Sequence, residues 1–225
     1  MKYMIKIEEV NLHILKNAVK NQTANECTGH DWLHICRVLN LADKIVEEEN
    51  IEVDMNLIEI LSLLHDIEDR KFRKKDDTSS VVCEFIMSSG GSRATAIAIK
   101  SLIDQISYSC ECNNVNNSEV LIIQDADKLD ALGAIGIARV FAYGGFKMRP
   151  IYDPEILPIT NMSKEEYKKH TGTSLNHFFE KLLDLPKYLN TKTARNIAHE
   201  RVAVMRCYLD NLMYECDIHH FSDYY

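Results

Sequence analysis

Two histidines lie four residues apart in the segment GHDWLHICRV, which runs from Gly29 to Val38. In a helix this spacing puts His30 and His34 on one face, where two imidazole rings can bind one divalent metal ion. The same spacing also occurs on ordinary helices, where water or hydrogen bonds satisfy both rings. The segment by itself therefore leaves both interpretations open.

A histidine and an aspartate are adjacent in the segment LLHDIEDRK, from Leu63 to Lys71. His65 and Asp66 come at the predicted end of an apolar helix, so a nitrogen ligand and a carboxylate stand side by side. Burying such a pair without a positive partner costs free energy, and the apolar neighbours therefore indicate a bound cation. The alternative is a plain helix end, where the histidine interacts with the helix dipole.

Three aspartates interrupt an apolar segment with the sequence QDADKLDALGAIGIARVFAYGG, which covers residues 124–145. Asp125, Asp127 and Asp130 lie within six residues of one another. An acidic helix face in water is the alternative, but the surrounding leucines and isoleucines leave little fully polar face. We therefore expect these carboxylates to have cationic partners.

Helices are expected to carry these residues, because apolar side chains recur at helical spacing along almost the whole chain. We predict an all-α fold with helices at about residues 8–20, 30–49, 54–67, 77–89, 92–107, 117–143, 163–184 and 191–215. Pro150, Pro154 and Pro158 predict a surface loop over residues 147–160. The 225 residues suit a single domain, residues 1–225. In that domain a ligand-bearing core spans about residues 25–145, and C-terminal helices at about 160–216 pack on it.

Charge and composition exclude several classes of partner. Acidic residues exceed basic ones, 34 against 26, so we expect no duplex nucleic acid on this surface. A small anion remains compatible where a metal ion or local lysines and arginines reverse the field. We expect a cytoplasmic protein, because the seven cysteines are an odd number and the sequence does not start with a signal peptide. We also expect a soluble protein outside the membrane, because no apolar run approaches 20 residues.

Taken together, the order H…HD…D resembles the HD-domain superfamily of metal-dependent phosphohydrolases. The three segments quoted above, with YDP at residues 152–154 and LNHFFEKLLDL at residues 175–185, resemble small bacterial-type HD hydrolases associated with nucleotide pyrophosphohydrolysis. The resemblance covers nearly the whole chain. It implies a single compact bundle of helices and a metal-dependent phosphohydrolase that acts on a small phosphorylated substrate, a nucleotide.

The resemblance also implies a set of metal ligands, which are His34, His65, Asp66 and Asp127. His30 and Asp31 would then line the pocket or hydrogen-bond a ligand. Two nitrogen and two oxygen ligands with room for water suit one octahedral Mn²⁺, Mg²⁺, Fe²⁺, Co²⁺ or Ni²⁺ ion better than structural zinc. On chemistry alone, Mn²⁺ or Mg²⁺ is favoured.

Two acidic residues next to the HD pair, Glu68 and Asp69, are the nearest candidates for a general base or a group that orients water. The family pattern HD-x-x-D-x-K favours Asp69 for this role. The same pattern implies that Lys71 contacts a phosphate.

Further positive residues are candidates for phosphate binding. Lys128 is adjacent to a predicted ligand, and Arg139 lies further along the same segment; for both, a salt bridge to Asp125 or Asp130 is an equal alternative. His177 and Lys181 form an i, i+4 pair that faces the pocket or helps to dock its helix. The family tends to have a lysine after Ser-Tyr, where this chain has Ser109, so one phosphate contact is missing.

Other functions stay open at this point. The segment HDWLH imitates the H-E-x-x-H motif of metallopeptidases, but that reading leaves His65, Asp66 and Asp127 unexplained. A nucleotide-binding sensor with little turnover, a nucleotidase and a phosphodiesterase are the closer alternatives.

Overall fold

A computed structural model describes residues 5–68, 80–106, 115–160, 162–163, 165–166 and 170–218 of the protein. These residues form nine α-helices and contain no β-strand, so the predicted all-α fold is confirmed. The helices are α1 Leu12–Gln22, α2 Trp32–Glu49, α3 Met55–Leu64, α4 Val81–Ser88, α5 Arg93–Ile106, α6 Ser118–Asp130, α7 Gly133–Phe146, α8 Asn176–Glu180 and α9 Lys192–Glu215. Two short 3-10 helices, Ile7–Glu9 and Leu182–Tyr188, complete the list.

The chain divides into two compact units, the first with residues 1–26 and 30–126 and the second with residues 27–29 and 127–225. The first unit is built around α3, which packs against α1, α2 and α5. Six apolar side chains of α3 are buried, namely Leu57, Ile58, Ile60, Leu61, Leu63 and Leu64. Each fully buried side chain of this kind contributes about 1.5–3 kcal/mol of transfer free energy, so burial of α3 stabilises the helix that the HD pair follows.

The second unit has α7 packed against α9. An aromatic cluster lies in this unit, where the ring of Phe141 is 6.0 Å from the rings of both Phe178 and Tyr208. Phe178 is fully buried and belongs to α8. The cluster therefore ties α8 to the pair formed by α7 and α9.

The single helix predicted over residues 117–143 is wrong. The structure has two helices here, α6 and α7, bent by 73° at the break between them. Leu132 is extended and Gly133 has a φ of +75°, a conformation that residues with a side chain rarely adopt. A Cβ on Gly136 would lie 2.2 Å from the carbonyl oxygen of Ala131, so this turn is close enough to need glycine. Gly133 and Gly136 thus allow the chain to break the predicted helix.

The helix predicted over residues 163–184 is also wrong over much of its length. Residues 170–175 are not helical, and the 3-10 helix follows directly after α8 and Lys181. The N–H groups of Ser174 and Leu175 donate to the carbonyls of Pro150 and Ile151 at 3.0 and 2.9 Å. Because the loop accepts these hydrogen bonds, the same N–H groups cannot form helical ones. The surface loop predicted at residues 147–160 is confirmed.

Within the described ranges, no single helix combines the length and apolar composition of a membrane span. The bent pair formed by α6 and α7 meets the test only when both helices are counted together.

Candidate metal centre

The first turn of α2 places His34. Asp31 is the N-cap of this helix, and its side chain accepts a hydrogen bond from the backbone N–H of His34 at 2.8 Å. Such a cap satisfies one of the free N–H groups at a helix start. Asp31 therefore hydrogen-bonds a predicted ligand, at its backbone rather than its ring. The side chain of His34 is completely buried.

The end of α3 places His65 and Asp66. His65 follows Leu64, the last residue of α3, and its ring Nδ1 lies 2.8 Å from the carbonyl oxygen of Ser62. A carbonyl only accepts, so Nδ1 carries the hydrogen, and in the neutral ring Nε2 is then the acceptor nitrogen. This is the arrangement in which backbone fixes the tautomer of a metal-binding histidine.

Three candidate ligand atoms lie close together, one each from His34, His65 and Asp66. The Nε2 atoms of His34 and His65 are 3.1 Å apart. Asp66 Oδ2 lies 3.2 Å from the first nitrogen and 3.5 Å from the second. Asp127 of α6 completes a group of four residues. One ligand atom from each lies within 4.8 Å of the ligand atoms of the other three: His34, His65, Asp66 and Asp127. These are the four residues implied by the resemblance.

Asp66 has the electrostatics of a metal ligand. Its side chain is 19% exposed, but the Oδ2 atom itself is buried and has no hydrogen-bond partner. Burial is the largest single influence on the pKa of Asp66 and raises it. The surrounding histidines, His65 first, outweigh burial and hold that pKa well below its ordinary range.

A divalent cation fits this donor set. An ionised oxygen that is buried without a hydrogen bond needs a positive partner. A metal ion satisfies the carboxylate and both nitrogen lone pairs together, and a set of two nitrogens and two oxygens is borderline between soft and hard metals.

His30 lies beside the cluster rather than in it. Its ring stands edge-on to the ring of His34, with centroids 5.7 Å apart, and its backbone N–H donates to Glu26 at 2.7 Å. The group of four ligand candidates does not include it. A metallopeptidase motif would need both histidines of HDWLH as ligands, so the geometry does not support that alternative.

Glu68 ends the turn that begins with His65. One carboxylate oxygen accepts hydrogen bonds from Ser80 Oγ at 2.6 Å and from the backbone N–H of Val82 at 2.9 Å. The other oxygen lies 3.4 Å from Lys100 Nζ, and the side chain is only 7% exposed. Burial, the largest influence, raises the pKa of Glu68, but its hydrogen bonds and Lys100 lower it overall. These contacts favour a structural role.

The other residues predicted next to the HD pair, Asp69 and Lys71, lie outside the described residues, as does the segment Ser107–Cys110. Their predicted roles stay predictions.

Two predicted phosphate contacts belong to the second unit. Arg139 donates to Asp130 at 2.9 Å, and this aspartate is almost fully buried. Of the two alternatives for Arg139, the salt bridge is therefore present in the structure. Lys128 Nζ donates to the carbonyl of Tyr188 at 2.9 Å.

The i, i+4 pair in the second unit lies at α8. His177 belongs to this helix, and Lys181 follows it and donates its backbone N–H to the carbonyl of His177 at 3.2 Å. Both side chains are partly exposed. Their predicted contact with substrate stays a prediction.

Sequence reasoning missed one residue near a predicted ligand. Arg201 of α9 donates through Nη1 to the carbonyl of Leu129 at 2.5 Å, two residues after Asp127. Arg201 stands in the segment AHERVAV, which has no spacing or neighbour that marks it. Only the packing of α9 reveals the contact.

Known proteins resemble this chain in both sequence and fold. The sequence model of the HD domain family matches residues 32–132. The uncharacterized protein YpgQ of Bacillus subtilis is 32% identical over 191 residues, which are 83% of this chain and 84% of that protein. Its crystal structure in complex with ADP has a TM-score of 0.69 at 33% identity and covers 91% of this chain and 97% of that one.

Two further crystal structures extend the comparison. A protein of Lactobacillus plantarum has a TM-score of 0.81 at 32% identity, covering 93% of this chain and 98% of that one. An HD-superfamily hydrolase of Bacillus thuringiensis has a TM-score of 0.65 at 32% identity, covering 92% and 97%. The chain belongs to the HD-domain superfamily of hydrolases, and its candidate metal site carries the H…HD…D residues. The resemblance seen in the sequence is thereby confirmed at the level of the superfamily.

Proposed function

We propose that the protein is a metal-dependent phosphohydrolase that cleaves nucleoside triphosphates to a nucleoside monophosphate and pyrophosphate. The observation that carries this proposal is the convergence of two histidine nitrogens on the buried Oδ2 of Asp66. The ADP complex of the relative YpgQ supports a nucleotide as the ligand class.

Four residues would hold the metal: His34, His65, Asp66 and Asp127. Mn²⁺ or Mg²⁺ held there would supply Lewis-acid chemistry, in which a phosphoryl oxygen is polarised and the pKa of a water is lowered. Asp31 fixes the helix start that carries one of the histidines, and the Ser62 carbonyl orients the ring of the other. These contacts position the two histidines.

Asp69 would orient the attacking water and take its proton, since it is the residue that matches the HD-x-x-D-x-K pattern. The oxygen of the water would form a bond to the α-phosphorus. The bond between the α-phosphorus and the oxygen that bridges the α- and β-phosphates would break, and that bridging oxygen would leave as part of pyrophosphate. Glu68 is less suited to accept the proton, because its carboxylate is already engaged by Ser80, Val82 and Lys100.

Local positive charge must bind the phosphates, because the whole chain has a net charge of −8. Lys71, Lys128 and Arg139 are the proposed contacts. The salt bridge of Arg139 to Asp130 does not preclude a phosphate contact, since a guanidinium has five N–H donors. We further assign substrate binding to His30, Asp31, His177 and Lys181.

The test is a substrate screen of the purified full chain, stripped of metal and reloaded with Mn²⁺ or Mg²⁺. Nucleoside triphosphates, diphosphates, monophosphates, phosphodiesters and pyrophosphate are compared by product analysis. We expect pyrophosphate and a monophosphate from the triphosphate, with activity lost on chelation and restored by metal. Inorganic phosphate from a monophosphate would make the protein a nucleotidase, and cleavage of a diester a phosphodiesterase.

Asp69→Asn separates catalysis from binding. We expect this variant to keep both metal and nucleotide affinity and to lose turnover, because the amide cannot accept the proton. Tight nucleotide binding by the wild type without any product would favour the sensor instead.

A further inference from the structure

The C-terminal turn of α6 follows directly after the predicted ligand Asp127. Helix α6 ends at Asp130, and the turn to α7 is complete at Gly133. We refer to residues 127–133 as the α6 end. The last carbonyls of a helix have no partner within the helix, and they carry the negative end of its dipole.

Three positive side chains make contacts at the α6 end, and one of them, Lys128, belongs to it. Lys128 Nζ donates to the carbonyl of Tyr188, and Arg139 pairs with Asp130. The third, Arg201, donates to a main-chain carbonyl of the α6 end itself, that of Leu129. A charged donor at a terminal carbonyl is a favourable cap for a helix C-terminus.

The carbonyl of Leu129 accepts two hydrogen bonds in the turn between α6 and α7. It accepts the N–H of Leu132 at 3.0 Å as well as Nη1 of Arg201 at 2.5 Å. The first bond closes the turn within the chain, and the second ties that turn to α9. Asp127 is two residues earlier, so a displacement of this carbonyl displaces the backbone of Asp127 as well.

Gly133 supplies a second observation at the same place. A Cβ on Gly133 would lie 3.2 Å from Cβ and 3.1 Å from Cγ of Arg201. The positive φ of Gly133 and its missing side chain therefore leave room for the stem of Arg201 to run against the turn. The turn at Gly133 therefore packs closely against the aliphatic part of the Arg201 side chain.

We propose that Arg201 is a positioning residue of the metal centre. By binding the Leu129 carbonyl it holds the carboxylate of Asp127 at the distance that ligation needs. This inference rests on the proposed metal site. Metal–ligand distances tolerate only about ±0.2 Å, so a small shift of the turn weakens binding. Loss of a residue that orients a ligand lowers metal affinity about 10–100-fold.

The same helix offers a matched control. Arg195 of α9 donates through Nη1 to the carbonyls of Leu189 and Asn190, at 2.8 and 3.2 Å. It is therefore a second arginine of α9 that caps main-chain carbonyls, but neither carbonyl belongs to α6. Replacing it removes the same kind of interaction without removing a hydrogen bond to a carbonyl of α6.

The experiment measures Mn²⁺ affinity by calorimetry on the full chain after metal removal, together with thermal unfolding of the metal-free protein. We expect Arg201→Met to raise the Kd for Mn²⁺ by about 10-fold or more. Arg195→Met should lower the unfolding temperature while leaving that Kd unchanged. Arg201→Lys, which keeps the charge and stem but has no guanidinium fork, should give a Kd between wild type and Arg201→Met.

A wild-type Kd in Arg201→Met would overturn the inference while leaving the metal site intact. An equal loss of affinity in both arginine variants would overturn it too, because the effect would then come from α9 as a whole. If Arg201→Met does not fold, Arg201→Lys decides, and a wild-type Kd in that variant counts against the inference. Absence of Mn²⁺ binding by the wild type would instead refute the proposed function itself.

Discussion

The two aspartates of the candidate metal centre lie next to two helix ends that are stabilised in opposite ways. Asp66 belongs to the turn of residues 65–68, which we call the HD turn. Here Glu68 accepts hydrogen bonds from Ser80 and Val82 at the start of α4. At the α6 end, Arg201 instead donates to a carbonyl.

The difference follows from the polarity of helices. A helix start has N–H groups without acceptors, and a helix end has carbonyls without donors. The HD turn meets the start of α4, so a carboxylate suits it. The α6 end is itself a helix end, so a guanidinium suits it. In both places a residue that is not a ligand holds the backbone next to a ligand.

The largest effect is expected when a ligand is removed from the site. Asp127→Ala and His34→Ala should lower metal affinity by more than about 100-fold, because outer residues alone account for up to that factor. Turnover should fall to background in both variants. Metal content after chelation and reloading is the measurement, and full occupancy in both variants would refute the ligand assignment.

His30→Ala is the control for that experiment, since its ring lies beside His34 but outside the ligand group. We expect it to retain metal, with or without loss of activity. A loss of metal equal to that of His34→Ala would show that His30 is the ligand.

A smaller effect is expected from strain at the α6 end. Gly133→Ala forces a side chain into a φ of +75° and against Arg201, which should cost about 1–3 kcal/mol of unfolding free energy. Gly90 has a φ of +96°, and a Cβ there would lie 2.9 Å from the carbonyl oxygen of Glu9. Gly90→Ala is therefore a matched control that introduces similar backbone strain in the first unit. The unfolding temperature should fall in both variants, whereas the affinity for Mn²⁺ should fall only in Gly133→Ala. Equal affinities would argue against coupling of the α6 end to the metal.

The HD turn is tested by Glu68→Gln. The amide keeps the shape but loses the charge, so the cap of α4 and the pair with Lys100 weaken, at a cost of about 1–2 kcal/mol in denaturant unfolding. Turnover should stay far closer to wild type than in Asp69→Asn. If Glu68→Gln keeps its metal and yet loses turnover, Glu68 is the general base.

The smallest effect is expected for Lys128→Gln. Its Nζ donates to the Tyr188 carbonyl at a partly exposed position, so stability and metal content should hardly change. If Lys128 also contacts a phosphate, catalytic efficiency falls. A contact made only in the transition state appears in kcat, and one made equally to bound substrate appears in KM. Unchanged values of both kcat and KM would refute the phosphate contact of Lys128.

Local patterns determined much of this protein. Helical periodicity predicted the all-α fold, because an amphipathic helix repeats its apolar face every 3.6 residues whatever it packs against. The adjacency of His65 and Asp66 at the end of an apolar helix indicated a cation site for the same local reason. The quoted motifs, through their resemblance to the HD superfamily, selected His34 over His30.

Tertiary structure decided the rest. Spacing treats His30 and His34 alike, and only the packing of α2 against α3 brings one ring to His65. The break before Gly133 was hidden because α6 and α7 are both apolar and helical, and a local pattern does not register a 73° bend. Arg201 lies 72 residues beyond Leu129, and no periodic signal spans that separation. A contact of that kind exists only once the helices have packed, because it depends on distances in space rather than along the chain.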